Sequence, residues 1–206
     1  LLMTTFPYSG QAATFSASSG ITDSAASGTC LATGKKTNNG VIGLAHDSTP
    51  VYSVASQLKQ QGWGVGIMTT VTIDHATPSA HYAHTPSREN YYTIGTQLVE
   101  SNFDFFGGAG FSRPLDRNNA DAPNLYDLAQ QKGYALVAGY EDVKNHSAAK
   151  KMILLPEYYQ DYYTSFAGAL PYAIDRTPSD LTLSQIVEVA IDRLSTYDRF
   201  FIMAEG

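Results

Sequence analysis

One cysteine, Cys30, stands among 206 residues, so an intrachain disulfide is excluded and cysteine usage says nothing of redox compartment. Basic runs are short: nothing exceeds Lys35-Lys36 or Lys150-Lys151, and the net charge is −6. A nucleic-acid surface is therefore not expected. No apolar run approaches the ~20 residues of a membrane span, and no signal-peptide pattern stands at the start. The G-x-S-x-G elbow of serine esterases is missing as well, which removes support from that route to a nucleophilic serine. Neither an internal repeat nor a clear interdomain linker is found.

What is present has globular composition, 43% hydrophobic and 16% charged, in a length ample for a core. The chain opens at Leu1-Leu2-Met3 and stops at Gly206, directly behind a hydrophobic strand pattern. It reads as a segment of a longer protein.

The elements alternate. Val51, Val54, Ala55 and Leu58 fall at helical spacing, so a helix is expected from Thr49-Pro50 to Gly62. Trp63–Thr70 reads as a buried strand, Glu89–Glu100 as a helix and Phe103–Phe106 as a short strand. Pro123–Gln131 (helix), Tyr134–Val137 (strand), Tyr140–Asn145 (helix) and Lys151–Leu155 (strand) continue the pattern. An amphipathic helix starts at Thr182, and Arg199–Ala204 is the last strand. Strand–helix alternation with short connections predicts an α/β domain whose largely parallel sheet has flanking helices. The expected organisation is one partial α/β domain over 1–206. It is interrupted at 156–180 by an irregular insertion in which Tyr158, Tyr159, Tyr162 and Tyr163 crowd together. That aromatic run either packs on the surface or touches a partner.

The most informative stretch is Ile21–Gly34, I-T-D-S-A-A-S-G-T-C-L-A-T-G. Thr22 is a plausible N-cap, the alanines and Leu31 favour helix, and Gly34 suits the C-terminal cap. Ser24 then lies in the first turn, where free N–H groups and the helix dipole attract an anion. Two readings stand: Asp23-Ser24 as a helix cap on a closely packed helix, or Ser24 as a nucleophile toward a phosphate ester. On the residues alone His75 reads as a loop histidine bonded to backbone and Arg88 as a surface ion-pair partner. Glu205, closing an apolar strand, needs a metal or a basic partner unless it is a rim residue. His81 and His84 read as supporting or structural, His46 and His146 as surface residues, and Cys30 as a small buried helix residue.

Three blocks carry a resemblance. D-S-A-A-S-G-T-C-L-A-T-G followed by K-K-T-N-N-G resembles the nucleophile motif of the alkaline phosphatases, D-S-A-x-x-x-T-x-x-x-T-G followed by a K-T-x-N-G turn. Thr69–Arg88, T-T-V-T-I-D-H-A-T-P-S-A-H-Y-A-H-T-P-S-R, is similar to that family's magnesium and phosphate-arginine segment. F-F-I-M-A-E-G at 200–206 resembles the strand that ends in a metal-binding glutamate. The resemblance implies a metal-dependent phosphate-monoester hydrolase acting through a phosphoserine on Ser24. Arg88 would hold the substrate phosphate and Asp23 would orient it. His75, Thr77 and Glu205 would hold Mg2+, and Ser24 would be a ligand to one of two Zn2+ ions. Family members carry Asp or His at the position of His75; the softer imidazole would weaken magnesium and favour a zinc or a water-bridged ion. Asp74, one position out of register with the Asp-type members, is a reserve candidate. D-S-A points away from the sulfatases and phosphodiesterases of the wider superfamily.

The same resemblance implies missing parts. A complete member has an aspartate on a strand upstream of the nucleophile, and Asp, His, Asp-His and His ligands downstream of the E-G strand. This sequence has neither region, so the isolated chain is expected to be inactive. The alternative is a non-catalytic metal- or phosphate-binding fragment or degenerate relative. Sheet edges left open would favour a homodimer or larger assembly. A periplasmic or extracellular location is implied by the resemblance alone.

Overall fold

The structure, a computed structural model, describes residues 5–159 and 168–206. Its centre is a sheet of five parallel strands: β1 (Gly64–Thr69), β2 (Phe105–Gly107), β3 (Tyr134–Ala138), β4 (Lys151–Leu155) and β5 (Phe200–Glu205), in the order β3-β4-β2-β1-β5. Helices α1 (Ser24–Thr33), α2 (Val54–Gln60), α3 (Ala76–Ser79), α4 (Tyr91–Glu100), α5 (Leu125–Gln131) and α6 (Leu183–Leu194) complete the regular elements among the described residues, with a 3-10 helix at Glu141–His146. The expected α/β class with a parallel sheet and flanking helices is what the structure has.

Alternation along the strands builds two cores. Val65, Ile67, Phe106 and Ile153 face one layer, where Ala25, Ala55, Ile94, Leu98 and Leu125 of the helices pack. Met68, Phe105, Met152 and Leu154 face the other, covered by Ile186, Val189 and Ala190 of α6. A parallel sheet covered on both faces needs such apolar strands, and β1 is buried along its whole length. The exceptions are the two edge strands: in β5 Phe200 is exposed and Phe201, Ile202 and Met203 are half-buried, and in β3 Ala135, Leu136 and Ala138 are half-buried.

Several boundaries differ from the sequence expectation. The helix expected from Thr49-Pro50 begins at Val54, capped by the Ser53 hydroxyl, because Pro50 is used in an antiparallel bridge to Leu44. The Tyr140–Asn145 segment is a 3-10 turn rather than an α-helix. The strand expected at Phe103–Phe106 runs Phe105–Gly107, since Asp104 is occupied with side-chain bonds at the strand entrance. By contrast, β4 matches its expected bounds, and α6 starts behind Thr182 with a full capping box to Gln185. Within the Tyr-rich 156–180 segment, residues 160–167, including Tyr162 and Tyr163, lie outside the described residues. Tyr159 lies against the Tyr126 ring, 4.9 Å between centroids.

Candidate active site

The N-cap of α1 is Asp23, not Thr22. Its Oδ1 accepts from Ala26 N–H at 2.9 Å, while the Thr22 hydroxyl donates to the Asp23 carbonyl at 3.1 Å. A carboxylate is favoured there because it answers both the orphan N–H groups and the positive helix end. The N–H groups of Ser24 and Ala25 are left without helical acceptors. Gly34 ends α1 in the left-handed region, φ 73°, and donates to the Cys30 carbonyl, as the sequence suggests. The small residues of α1 have a packing reason: a Cβ on Gly28 would come within 3.3 Å of the Ala80 Cβ and 3.4 Å of the Thr77 Cα. Helix α3, which follows His75, therefore lies tightly on α1.

The turn after α1 binds back to Asp23. Gly40 N–H donates to Asp23 Oδ2 at 3.0 Å, Asn39 Oδ1 accepts from Asp23 N–H at 3.2 Å, and the Gly40 carbonyl accepts from Arg88 N–H at 2.7 Å. Arg88 is thereby fixed by backbone and side chain alike. Its Nη1 lies 3.4 Å from Asp23 Oδ2 and its Nη2 lies 3.2 Å from His75 Nε2. A guanidinium only donates, so His75 Nε2 is the acceptor and the ring proton sits on Nδ1. That Nδ1 is buried and has no hydrogen-bond partner among the described residues. Burial, then the Arg88 charge, hold the His75 imidazole below the usual histidine range, and Glu205 and Glu89 pull the other way.

Glu205 ends β5 in register with Thr69 of β1, whose Oγ1 donates to Glu205 Oε2 at 2.8 Å. Both are at the carboxyl ends of parallel strands, where ligands of α/β sheets collect. Thr77 lies in the single turn of α3, and its carbonyl is 3.3 Å from His81 Nδ1. Asp74 turns away from this group: fully buried, it accepts the Ser112 N–H with both oxygens, at 2.9 and 3.0 Å, and burial pushes its carboxyl up to about 6.

The structure thus brings together Asp23, Arg88 and His75, with Ser24 next to Asp23 at the helix start, and puts Glu205 close enough for its charge to act on His75. The Ser24 hydroxyl has no side-chain partner among the described residues. Among the described residues no three His, Cys, Asp or Glu side chains converge to hold a metal ion. For His75, Thr77 and Glu205, chemistry and arrangement diverge. Imidazole, hydroxyl and carboxylate suit a divalent ion, but Arg88 occupies His75 Nε2, so an ion would reach that nitrogen only once Arg88 has moved.

The other histidines behave mostly as expected. His81 is buried against the Phe201 ring, and His84 Nδ1 lies 2.6 Å from the Gly43 carbonyl. His46 is exposed. His146 is half-buried and 3.4 Å from Asp142 Oδ2, and Cys30 is half-exposed rather than buried. Sequence reasoning does not single out Thr69 or Gly40. Thr69 carries a signal only once β1 and β5 are known neighbours, and Gly40 only once the turn is known to fold back on Asp23.

The model of the family described as alkaline phosphatase matches residues 1–206. The chain belongs to the alkaline phosphatase family. It is 34% identical over 195 residues to alkaline phosphatase 4 of Bacillus subtilis, covering 90% of this chain and 39% of that protein. To the tissue-nonspecific isozyme of Gallus gallus it is 29% identical over 247 residues, covering all of this chain and 48% of that one. The crystal structure of the alkaline phosphatase from the Antarctic bacterium TAB5 superposes with a TM-score of 0.79 at 30% identity, over 94% of this chain and 54% of that one. A variant of that enzyme with a histidine replaced by glutamate, with Mg bound in its M3 site, gives a TM-score of 0.77 at 28% identity, over 94% and 53% of the two chains. The chain spans about half or less of the length of the family members it matches.

Proposed function

We propose that this chain carries the phosphoryl-binding half of a phosphate-monoester hydrolase whose nucleophile is Ser24. The observation behind the proposal is the Arg88 guanidinium, held between the Asp23 carboxylate and His75 beside the open end of α1. Two phosphoryl oxygens suit the planar fork of Arg88, and the free Ser24 and Ala25 N–H groups suit a third. Asp23 keeps the guanidinium aimed. Ser24 Oγ then forms the bond to phosphorus as the ester P–O bond breaks. The alcohol leaves with a proton, and water later returns phosphate and restores the serine.

Nothing among the described side chains takes the proton of Ser24. Zinc, when bound, lowers the pKa of such a hydroxyl and offsets charge on the entering and leaving oxygens. Of the two-zinc set the resemblance implies, this chain supplies Ser24 alone, so that set does not fit here. His75, Thr77 and Glu205 are the residues that would hold Mg2+, the ion bound in the M3 site of the TAB5 enzyme's His-to-Glu variant. A second reading, a phosphate- or metal-binding fragment without catalysis, is favoured for the isolated chain by the lack of three converging ligands among the described residues. Periplasmic or extracellular residence and self-association belong to this proposal too.

Hydrolysis of p-nitrophenyl phosphate at alkaline pH, with Zn2+ and Mg2+ added and Ser24→Ala as control, tests it. The isolated chain should show no turnover above the variant, whereas a form that includes the family's remaining ligands should turn over and lose turnover with Ser24→Ala. Turnover that survives the substitution contradicts the nucleophile.

A further inference from the structure

The turn at 36–40 is bound from two sides. On one side lies the stretch ahead of α1: Ala17 N–H donates to the Thr37 carbonyl at 2.8 Å and Asn39 N–H to Ser18 Oγ at 2.9 Å. Lys36 Nζ donates to the Ala13 carbonyl at 3.2 Å and sits 3.7 Å from the centre of the Phe15 ring. On the other side Gly40 N–H meets the Asp23 carboxylate, and the Gly40 carbonyl takes the Arg88 N–H. Asn39 stands at the junction. Its Nδ2 donates to the Ile21 carbonyl at 3.0 Å and its Oδ1 accepts from Asp23 N–H at 3.2 Å. A backbone carbonyl only accepts and a backbone N–H only donates, so the amide has one possible orientation. The side chain therefore bridges Thr22, pairing with the residue on either side of it just ahead of α1.

We propose that Asn39 is a positioning residue for the phosphoryl site: it fixes the Asp23 backbone so that the carboxylate stays on Arg88. The inference rests on the phosphoryl-binding reading above and adds a residue that acts through the Asp23–Arg88 pair. Asp23 is held at its N–H by Asn39 and at its carboxylate by Gly40, and Gly40 also takes the Arg88 N–H. Both members of the pair are thus registered on one dipeptide. Their contact, 3.4 Å from Nη1 to Oδ2, is at the long end for a hydrogen bond, so a small shift of the Asp23 backbone breaks it. An amide suits the junction because it accepts and donates at once. Aspartate at position 39 would lose the donor to Ile21 and bring a second negative charge to Asp23. Asn39 is exposed and belongs to neither core, so shortening it leaves no cavity.

The test is a double-mutant cycle, read by calorimetric titration of the 206-residue chain with inorganic phosphate. Asn39→Ala is expected to weaken phosphate about fivefold, the scale of one or two lost hydrogen bonds. In the Arg88→Gln chain the same substitution should change the affinity by less than about twofold, because the group through which Asn39 acts is gone. Equal losses in the two backgrounds, or no loss in the parent background, overturn the role. A second readout needs no ligand: the Arg88 Nε–H cross-peak in a proton–nitrogen NMR spectrum. Asn39→Ala should move it toward its position in the Asp23→Ala chain, and an unmoved cross-peak overturns the role whatever phosphate does. Failure of the parent chain to bind phosphate overturns the phosphoryl reading, and the cross-peak then decides whether Asn39 holds the Asp23–Arg88 pair.

Discussion

Arg88 Nη2 sits 3.2 Å from His75 Nε2 while Nη1 of the same guanidinium sits 3.4 Å from Asp23 Oδ2. One cation is thus shared between the residue that caps the nucleophile helix and the histidine proposed as a metal ligand. Arg88 and a divalent ion would compete for the same nitrogen. Substituting Arg88→Gln is therefore expected to strengthen Mg2+ binding several-fold, since it removes a fixed positive charge from the imidazole. Calorimetric titration with Mg2+ checks this. Unchanged affinity would mean that His75 is not a ligand.

Asp23 has a structural duty separable from its electrostatic one. Asp23→Ala removes the cap of α1 and is expected to destabilise by about 1 kcal/mol, with a drop in Tm of roughly 2–4 °C. Asp23→Asn keeps an acceptor for the Ala26 N–H but turns an NH2 group toward the Gly40 N–H and the Arg88 guanidinium, so it should recover only part of the loss. Thermal unfolding by circular dichroism distinguishes them, and equal losses would refute the capping role.

At the far end of the sheet from the site, Asp104 is a buried lock. Its carboxylate accepts from Lys59 Nζ at 2.7 and 2.8 Å, Val65 N–H at 2.8 Å and the Tyr197 hydroxyl at 2.6 Å. Removing one partner of such a cluster strands the others, so Asp104→Ala is expected to cost about 3 kcal/mol or more in urea unfolding. A cost below about 1 kcal/mol would contradict the lock.

The same cluster predicts an alkaline limit. Burial, then the bond to Asp104, push the Tyr197 phenol up to about 12 from its ordinary 10.0. The folded state therefore holds this proton more tightly than the unfolded state, and its contribution to stability is present below pH 10 and lost as pH rises from 10 to 12. Urea midpoints measured across that window should fall. Tyr197→Phe should flatten this part of the fall, and an identical slope in the variant would assign it elsewhere.

Strand β5 lies at one edge of the sheet, with no strand on its outer side among the described residues and Phe200 exposed. The isolated chain is accordingly expected to associate into dimers or larger species. Size-exclusion chromatography with light scattering reads this directly, and a clean monomer at high concentration would contradict it.

The sheet was legible in the sequence because β1, β4 and β5 are short apolar runs with turn signals at their ends, and α6 because Thr182 and Gln185 form a capping box behind an apolar stripe. Where local signals compete, boundaries were not legible. Thr22 and Asp23 are both good caps, and only the return of Gly40 onto Asp23 decides between them. The Arg88–Asp23 pair lies 65 residues apart and was reached through motif resemblance rather than pattern. Asp74 looks, in sequence, like the natural neighbour of a metal site. Its occupation by Ser112, 38 residues on, is a tertiary fact with no local signature.

A phosphoryl group held by Arg88 at the start of α1 is the centre of the proposed site, and inorganic phosphate binding measures it most directly. Calorimetry of the 206-residue chain should find one phosphate per chain, with Arg88→Gln weakening it by about tenfold or more, as expected for loss of a charge-assisted pair of hydrogen bonds. Binding of equal strength in the variant, or none in the parent chain, would contradict the proposed site.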